Sequence, residues 1–184
     1  MKDIRVKQTS LFIEKDILQH AYICECIVDN INTKKFIKAI EEGINHPDNM
    51  NYKTNAHGFM TSWQYFVNDP ELNSLLSLMI DHFELDSRIG KCYLHSAWGI
   101  KMVANSYTRP HHHLGGDVIL SGILYLNTLK GHYLELPDFK KNIEVVKNKV
   151  VLFKSNVTHS TKRITSINKA KYAISFNFKN NKSW

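Results

Sequence analysis

Apolar residues recur at helical spacing in the first half of the chain and at every second position after about residue 90. Asn32 or Thr33 begins the first predicted helix, which ends near Ile44. Pro70 begins the second predicted helix, because proline suits the first helical position. An opening strand is predicted over residues 4–13, and the later strands over 91–107, 118–127, 132–136, 142–146, 149–153, 159–164 and 171–179.

This order of elements, helices first and a run of short strands afterwards, is typical of an α+β protein. It predicts an antiparallel sandwich or barrel with the helices packed on one face. We expect a single domain over residues 1–184, in which residues 1–90 form a helical support region and residues 91–184 form the β core.

The last predicted strand has two very different faces. Lys171, Ala173, Ser175 and Asn177 fall on one face, and Tyr172, Ile174, Phe176 and Phe178 on the other. The bulky face must be buried, whereas a small and polar face lines a cavity or points to solvent. A lysine inside a cavity needs an anion to offset the loss of its hydration.

Charge is distributed unevenly along the chain. Residues 1–100 carry 10 Lys/Arg and 13 Asp/Glu, and residues 101–184 carry 14 Lys/Arg and 4 Asp/Glu, so the net charges are −3 and +10. A basic second half favours a dicarboxylate, a phosphorylated substrate or a nucleic acid as ligand, and a solvated lysine-rich surface is the alternative.

Several classes of protein are disfavoured. No apolar run reaches the roughly 18 residues that a membrane span needs, and the N-terminus lacks the apolar core of a signal peptide, so we expect a cytoplasmic protein. Cys24, Cys26 and Cys92 do not form a disulfide framework, and we expect buried free thiols.

The histidines are the main candidates for chemistry. Arg109-Pro-His111-His112-His113 precedes an apolar strand, and His159 follows a later strand, 46 residues beyond His113. These histidines meet if their strands lie side by side in a barrel. Neutral imidazole suits Fe, Zn, Cu and Ni, and proteins that use Fe(II) for oxygen chemistry hold it with three ligands on one face.

Five segments in a fixed order resemble the Fe(II)/2-oxoglutarate-dependent dioxygenases. They are RPHHH, SGILYLN, GHYL, VVLFKSNVTH and KYAISFNF, within residues 96–179. The resemblance is closest to the prolyl-hydroxylase-like branch and to small oxygenases of phages and marine bacteria. It implies a double-stranded β-helix, or jelly roll, with Fe(II) at its open end.

The same resemblance implies roles for individual residues. His111 and His113 occupy the two positions of the family's HxD or HxH element, and His159 is the distal metal ligand. Lys171 stands where the family binds the far carboxylate of the cosubstrate 2-oxoglutarate, and Tyr125 matches a tyrosine that hydrogen-bonds the same carboxylate.

The chain departs from the family in lacking an Asp or Glu two residues after His111. Three ligand sets are therefore open, besides the absence of a functional iron. His111, His113 and His159 form an all-histidine set, or Asp117 completes a set that begins at His113. In the third set, His113-Leu114-Gly115 is an HxG element, which leaves a position for a halide.

Other residues near the histidine motif are weaker candidates. Asn105 and Tyr107 are candidates for contacting the cosubstrate, and Arg109 for contacting the substrate or its carboxylate. Ser121 and Trp98 are candidates for the border of the pocket. A purely structural role is an equal alternative for Asn105, Tyr107 and Arg109.

The resemblance implies an enzyme that hydroxylates an unactivated C–H bond of an unidentified substrate, with O2 and 2-oxoglutarate consumed and succinate and CO2 released. A metal-binding, cupin-like β-barrel without oxygenase activity is the first alternative. A basic nucleic-acid-binding protein is the second, although no nucleic-acid-binding motif is present. A zinc hydrolase also uses three histidines but needs a general base.

Overall fold

The computed structural model describes residues 3–14, 21–50, 54–113, 117–165 and 169–180. These residues form mostly antiparallel β-structure with few helices. The helices are α1 Thr33–Ile44, α2 Pro70–His82 and α3 Leu85–Ile89. The strands are β1 Arg5–Glu14, β2 Ala21–Asp29, β3 Ala56–His57, β4 Phe59–Met60, β5 Cys92–Met102, β6 Tyr107–His111, β7 Val118–Tyr125, β8 Tyr133–Leu136, β9 Lys141–Glu144, β10 Lys149–Lys154, β11 His159–Thr161 and β12 Lys171–Asn180.

The strands form two antiparallel sheets. Seven strands lie in the order β1-β2-β10-β7-β12-β5-β4, and five in the order β3-β6-β11-β8-β9. Apolar residues of both sheets share one buried cluster, for example Val151 and Phe153 of the larger sheet with Leu134 and Ile143 of the smaller. The sheets therefore pack face to face, as in a jelly roll.

The first two helices begin where the sequence predicts. The Asn32 side chain accepts a hydrogen bond from the Lys35 N–H (3.1 Å), and the Asp69 side chain caps α2 ahead of Pro70. Apolar residues of α1 and α2 lie in one cluster with residues of β2, β7, β10 and β12. At Gly99 a Cβ atom would lie 2.3 Å from Ile40 Cγ1, so the glycine allows α1 to approach β5 closely.

The prediction of one strand over residues 91–107 is wrong. β5 ends at Met102, and a turn follows in which the Ser106 N–H bonds to the Val103 carbonyl (2.9 Å) and Asn105 has a φ of 68°. Asparagine tolerates this left-handed conformation better than most residues. The turn carries the chain from the larger sheet to β6 of the smaller sheet, which holds the histidine motif.

The prediction of two faces on the last strand is confirmed. β12 lies between β5 and β7, with Ser175 opposite Trp98 on one side and Ile123 on the other. Lys171, Ala173, Ser175 and Asn177 line a cavity between the sheets, and Tyr172, Ile174, Phe176 and Phe178 contribute to the apolar cluster shared with the helices.

Burial of the thiols is also confirmed for Cys24 and Cys26, and Cys92 is half-buried. Burial raises the pKa of Cys26 to about 12, and its thiol lies 3.0 Å from the sulfur of Met79. Within the described ranges no helix is both long and apolar enough to cross a membrane.

Candidate metal centre and its cavity

Two neighbouring strands bring the three candidate ligands together. His111 is the last residue of β6 and His159 the first of β11, and the two are direct partners in the antiparallel ladder. His113 lies just beyond β6, where its backbone N–H donates to the Ser155 carbonyl (2.8 Å). One nitrogen from each imidazole can be chosen so that all three lie within 4.8 Å of one another.

Backbone carbonyls orient two of these rings. Nδ1 of His111 lies 2.8 Å from the Arg109 carbonyl oxygen, and Nδ1 of His159 lies 3.1 Å from that of Val157. A neutral imidazole that donates from Nδ1–H to a carbonyl keeps its Nε2 lone pair for a metal. These contacts favour the tautomer that a metal ligand requires.

The protonation of the three rings suits metal binding. The pKa of His113 is lowered to about 4 and that of His159 to about 3, mainly by burial and in smaller part by charge repulsion from the neighbouring histidines. Burial also lowers the pKa of His111. All three are therefore neutral near pH 7, which is the form that binds metals. A set of three neutral imidazoles fits Fe, Zn, Cu or Ni.

Lys171 lines the same cavity and is 3% exposed. Among the residues that the structure describes, its ammonium has no hydrogen-bond or carboxylate partner, and burial lowers its pKa to about 8. Nζ lies 6.0 Å from the ring centre of Tyr125, which is fully buried and whose hydroxyl also lacks a described partner. A buried cation in this state calls for an anionic ligand.

The whole cavity is about 200 Å³ in volume, and its described lining combines aliphatic, aromatic and polar residues without a carboxylate. Trp63 and Trp98 form one wall, with ring centres 4.5 Å apart at 66°. On another wall the Ser121 hydroxyl donates to the Asn177 side chain (2.7 Å). Of the described lining residues none is Asp or Glu, and Lys171 is the one Lys or Arg.

Two of the weaker candidates lie away from the cavity. Tyr107 stacks on His57, with ring centres 4.2 Å apart, and the Arg163 guanidinium lies 4.6 Å from the Tyr107 ring centre. Asn105 is exposed in the turn before β6. Neither lines the cavity. Asn105 lies in the turn, and on β6 it is the next residue, Thr108, that lines the cavity, so Tyr107 belongs to the other face of the strand.

The remaining candidates lie at different distances from the site. Ser121 lines the cavity, as does Trp98. Arg109 is exposed and does not line the cavity, and its backbone carbonyl contacts His111. Asp117 is exposed at the turn before β7 and is not one of the grouped ligands. The HxG alternative falls on Leu114 and Gly115, outside the described residues.

Sequence reasoning missed the wall that the smaller sheet provides. Asn55, Thr108, Ser160 and Thr161 line the cavity from this side. The strands that hold or follow them are only two to five residues long, so no alternation marks these residues in the sequence. His132 lies near the buried Lys171. Burial is the main cause that lowers the pKa of His132, and the positive charge of Lys171 is the second cause.

No family model and no curated protein sequence matches the chain. Solved structures do match. They include viral collagen prolyl hydroxylase from Paramecium bursaria Chlorella virus-1 in complex with 2-oxoglutarate (TM-score 0.63, 12% identity, 80% of this chain and 89% of that one). A Pseudomonas putida prolyl-4-hydroxylase also matches (0.58, 14%, 81% and 86%), as does the non-heme, α-ketoglutarate-dependent carbocyclase SnoK of nogalamycin biosynthesis (0.64, 13%, 86% and 79%).

These identities are too low to assign a function, but the similarity covers most of each chain. Two of the three structures are prolyl hydroxylases, the branch that the sequence motifs resemble. No sequence match connects the chain to the small oxygenases of phages and marine bacteria. The chain thus has the double-stranded β-helix fold of the Fe(II)/2-oxoglutarate-dependent oxygenases.

Proposed function

We propose that this protein is an Fe(II)- and 2-oxoglutarate-dependent dioxygenase that hydroxylates an unactivated C–H bond of an unidentified substrate. One observation carries the proposal. Three neutral imidazoles converge in the same cavity as a buried lysine that has no described partner, within the fold of these oxygenases. The histidines account for a metal, and the lysine accounts for an anionic cosubstrate.

His111, His113 and His159 would hold the iron. Their nitrogens lie close enough together for one ion, and the set leaves coordination positions open for other ligands. Bound Fe(II) and 2-oxoglutarate would supply the oxygen chemistry, with succinate and CO2 as co-products. We prefer the all-histidine set to one with Asp117, because Asp117 lies outside the group of converging ligand atoms.

Lys171 would bind the far carboxylate of 2-oxoglutarate through a charge-assisted hydrogen bond. The carboxylate would offset the desolvation that lowers the pKa of Lys171, and the lysine would stay protonated at neutral pH. The Tyr125 hydroxyl is the second candidate donor: it is buried without a described partner, and its ring lies near Lys171, although Tyr125 is not one of the described residues that line the cavity. Trp63 and Trp98 would exclude water from the substrate and orient its C–H bond.

The chain's organisation is part of the proposal. Residues 1–184 would form one oxygenase domain in the cytoplasm, with the N-terminal helices supporting the outer face of the larger sheet. The shared apolar cluster of α1, α2 and that sheet supports this arrangement. A metal-binding barrel without oxygenase activity has no use for Lys171, and a zinc hydrolase would lack a carboxylate base among the described cavity residues.

Succinate formation tests the proposal. The protein would be incubated in air with Fe(II), ascorbate and 2-oxoglutarate, and succinate measured by NMR. Succinate forms slowly from 2-oxoglutarate when the primary substrate is absent, so the wild-type rate is compared with the rates of two variants. They are His159→Ala and His46→Ala, the latter at an exposed histidine outside the cavity. Wild type and His46→Ala should form succinate and His159→Ala should not. Equal succinate from all three proteins would contradict the proposal.

A further inference from the structure

The cavity has two regions, which follow from the order of the strands in the two sheets. The smaller sheet begins with β3 and β6, and the larger sheet ends with β5 and β4. Only Gly58 separates β3 from β4 along the chain, so these two sheet edges lie together. Ala56 of β3 accordingly packs against a buried cluster that contains Met60 of β4 and Ile100 of β5. One region of the cavity therefore lies between β3 and β5, and the other holds the three histidines and Lys171 of β12.

The region between β3 and β5 has an apolar wall. Trp63 and Trp98 form the aromatic part of this wall, with ring centres 4.5 Å apart at 66°. The described residues that belong to this cluster and also line the cavity are all apolar: Ala56, Trp63, Trp98, Ile100 and Met102. Their side chains offer a bound group dispersion contacts but no charge. The apolar wall therefore favours an apolar group over a charged one.

Little of the chain's positive charge lies in the cavity. Lys171 is the one lysine or arginine among the described lining residues, and in the proposed function it binds the cosubstrate. Other lysines of the second half pair with glutamates and do not line the cavity, namely Lys101, Lys141, Lys149 and Lys162. The described lining has no carboxylate either. A charged group of the substrate would therefore lose its hydration in the cavity without gaining a counter-charge from a described side chain.

The size of the cavity limits how much of the substrate enters. Its volume is about 200 Å³, whereas pockets that enclose a drug-sized ligand measure roughly 300–1,000 Å³. The proposed cosubstrate would occupy the part between the histidines and Lys171. The space that remains beside the apolar wall suits one small group.

We infer that the primary substrate inserts one uncharged, apolar group, aliphatic or aromatic, between β3 and β5, where Trp63 and Trp98 hold it in the cavity of the metal centre. This rests on the proposed function and adds the substrate class. The reacting C–H bond belongs to this apolar group, and any charged part of the substrate stays outside the cavity. The apolar wall is thus the part of the protein that selects the substrate.

The first test compares benzyl alcohol, benzylamine and benzoate, probes of similar size that are neutral, cationic and anionic at pH 7. Each probe is titrated by calorimetry into the protein loaded with Co(II) and saturating 2-oxoglutarate, so that Lys171 is already occupied. Benzyl alcohol should bind at least about tenfold more tightly than either charged probe, because burying an uncompensated charge is costly. A lower ratio for either charged probe would overturn the inference.

Trp63→Ala tests the apolar wall itself. It removes one of the two aromatic rings, so the affinity for benzyl alcohol should fall at least about fivefold, as expected for the loss of an aromatic contact. The matched control is Tyr93→Ala, which removes an exposed aromatic ring on β5 outside the cavity. The control should keep its affinity within about twofold of wild type, because no aromatic contact to the probe is lost. Undiminished affinity in Trp63→Ala would mean that the probe binds elsewhere, and the inference would fail.

Ala56→Asp tests the same wall without removing a ring. It would place a carboxylate in the region between β3 and β5. The affinity for benzylamine relative to benzyl alcohol should therefore rise at least about fivefold, through a charge-assisted hydrogen bond. An unchanged ratio in a variant that is folded by circular dichroism would contradict the inference.

Failure of the proposed function is a separate result. If 2-oxoglutarate does not bind the Co(II) protein, the dioxygenase assignment fails. Benzyl alcohol is then titrated into the metal-free wild type and the metal-free Trp63→Ala variant. Weaker binding by the variant would retain the apolar wall as a binding site for an uncharged group, and equal binding would remove that as well.

Discussion

Replacing Lys171 with methionine should make the ligand-free protein more stable and the cosubstrate complex weaker. The lysine is 3% exposed, and no described residue forms an ion pair or hydrogen bond with its ammonium group. Methionine has a similar length and carries no charge to desolvate. A site that is built to bind an anion is destabilising when that anion is absent.

The lowered pKa gives the size of this effect. Burial lowers the pKa of Lys171 from 10.5 to about 8, which corresponds to about 3 kcal/mol of unfavourable free energy at pH 7. The unfolded chain binds more protons than the folded chain between these two values, so wild-type stability should rise with pH in that window. The advantage of Lys171→Met should be full below about pH 8 and should shrink toward zero above pH 10.5.

Lys101, which precedes the end of β5, is the matched control. It is half-buried and forms an ion pair with Glu41 (2.8 Å), and this hydrogen bond is the main cause of its raised pKa. Lys101→Met should therefore lower stability at neutral pH. Because the pKa of Lys101 is raised, its stabilisation of the fold is present below pH 10.5 and is lost as the pH rises through the folded-state pKa. This pH dependence has the opposite sign to that of Lys171.

Urea unfolding of the metal-free proteins at pH 7 and at pH 10 measures these differences. A lower free energy of unfolding for Lys171→Met at pH 7, or a difference that does not change with pH, would refute the reasoning. Either result would mean that the Lys171 ammonium is already compensated in solution. The need for an anionic ligand would then disappear.

Three further predictions follow from the same structure. His159→Ala should weaken Ni(II) binding by more than the roughly 10–100-fold typical of losing an outer-shell partner, measured by equilibrium titration; an unchanged Kd would contradict the ligand assignment. Since the pKa values of His113 and His159 lie at about 4 and about 3, Ni(II) affinity should change little between pH 7 and pH 6, and a steep loss there would contradict it. Gly99→Ala should lower the free energy of unfolding by about 1–3 kcal/mol, because its Cβ would overlap Ile40; undiminished stability in urea would contradict this packing.

The parts of the fold that the sequence predicts best are those with long, regular patterns. β12 runs for ten residues with alternating faces, so the sequence predicts its buried face and its small, polar face, with a cavity or solvent as the alternatives for the latter. The capping residue Asn32 and the first-turn proline Pro70 marked the starts of α1 and α2. The distant pairing of His111 with His159 was accessible because each histidine lies at the end of a strand.

The parts that escaped prediction depend on local backbone geometry or on packing between sheets. The left-handed turn at Asn105 has no apolar signature, so the sequence predicts one strand where the structure has β5 and β6. The sequence also does not show which face of β6 meets the cavity, and that face carries Thr108 and not Tyr107. Asn55 and Thr161 reach the cavity only because the short strands of the smaller sheet cover it. The absence of carboxylates from the described cavity wall likewise became visible only once both sheets were in place.

Anaerobic titration with Fe(II) and then 2-oxoglutarate tests the central claim most directly, through the weak visible charge-transfer band of the chelate. Wild type should develop the band, His159→Ala should not, and Lys171→Met should need far more 2-oxoglutarate to reach it. Tight metal binding by the wild type with no band at saturating 2-oxoglutarate would contradict the assignment as a 2-oxoglutarate-dependent dioxygenase.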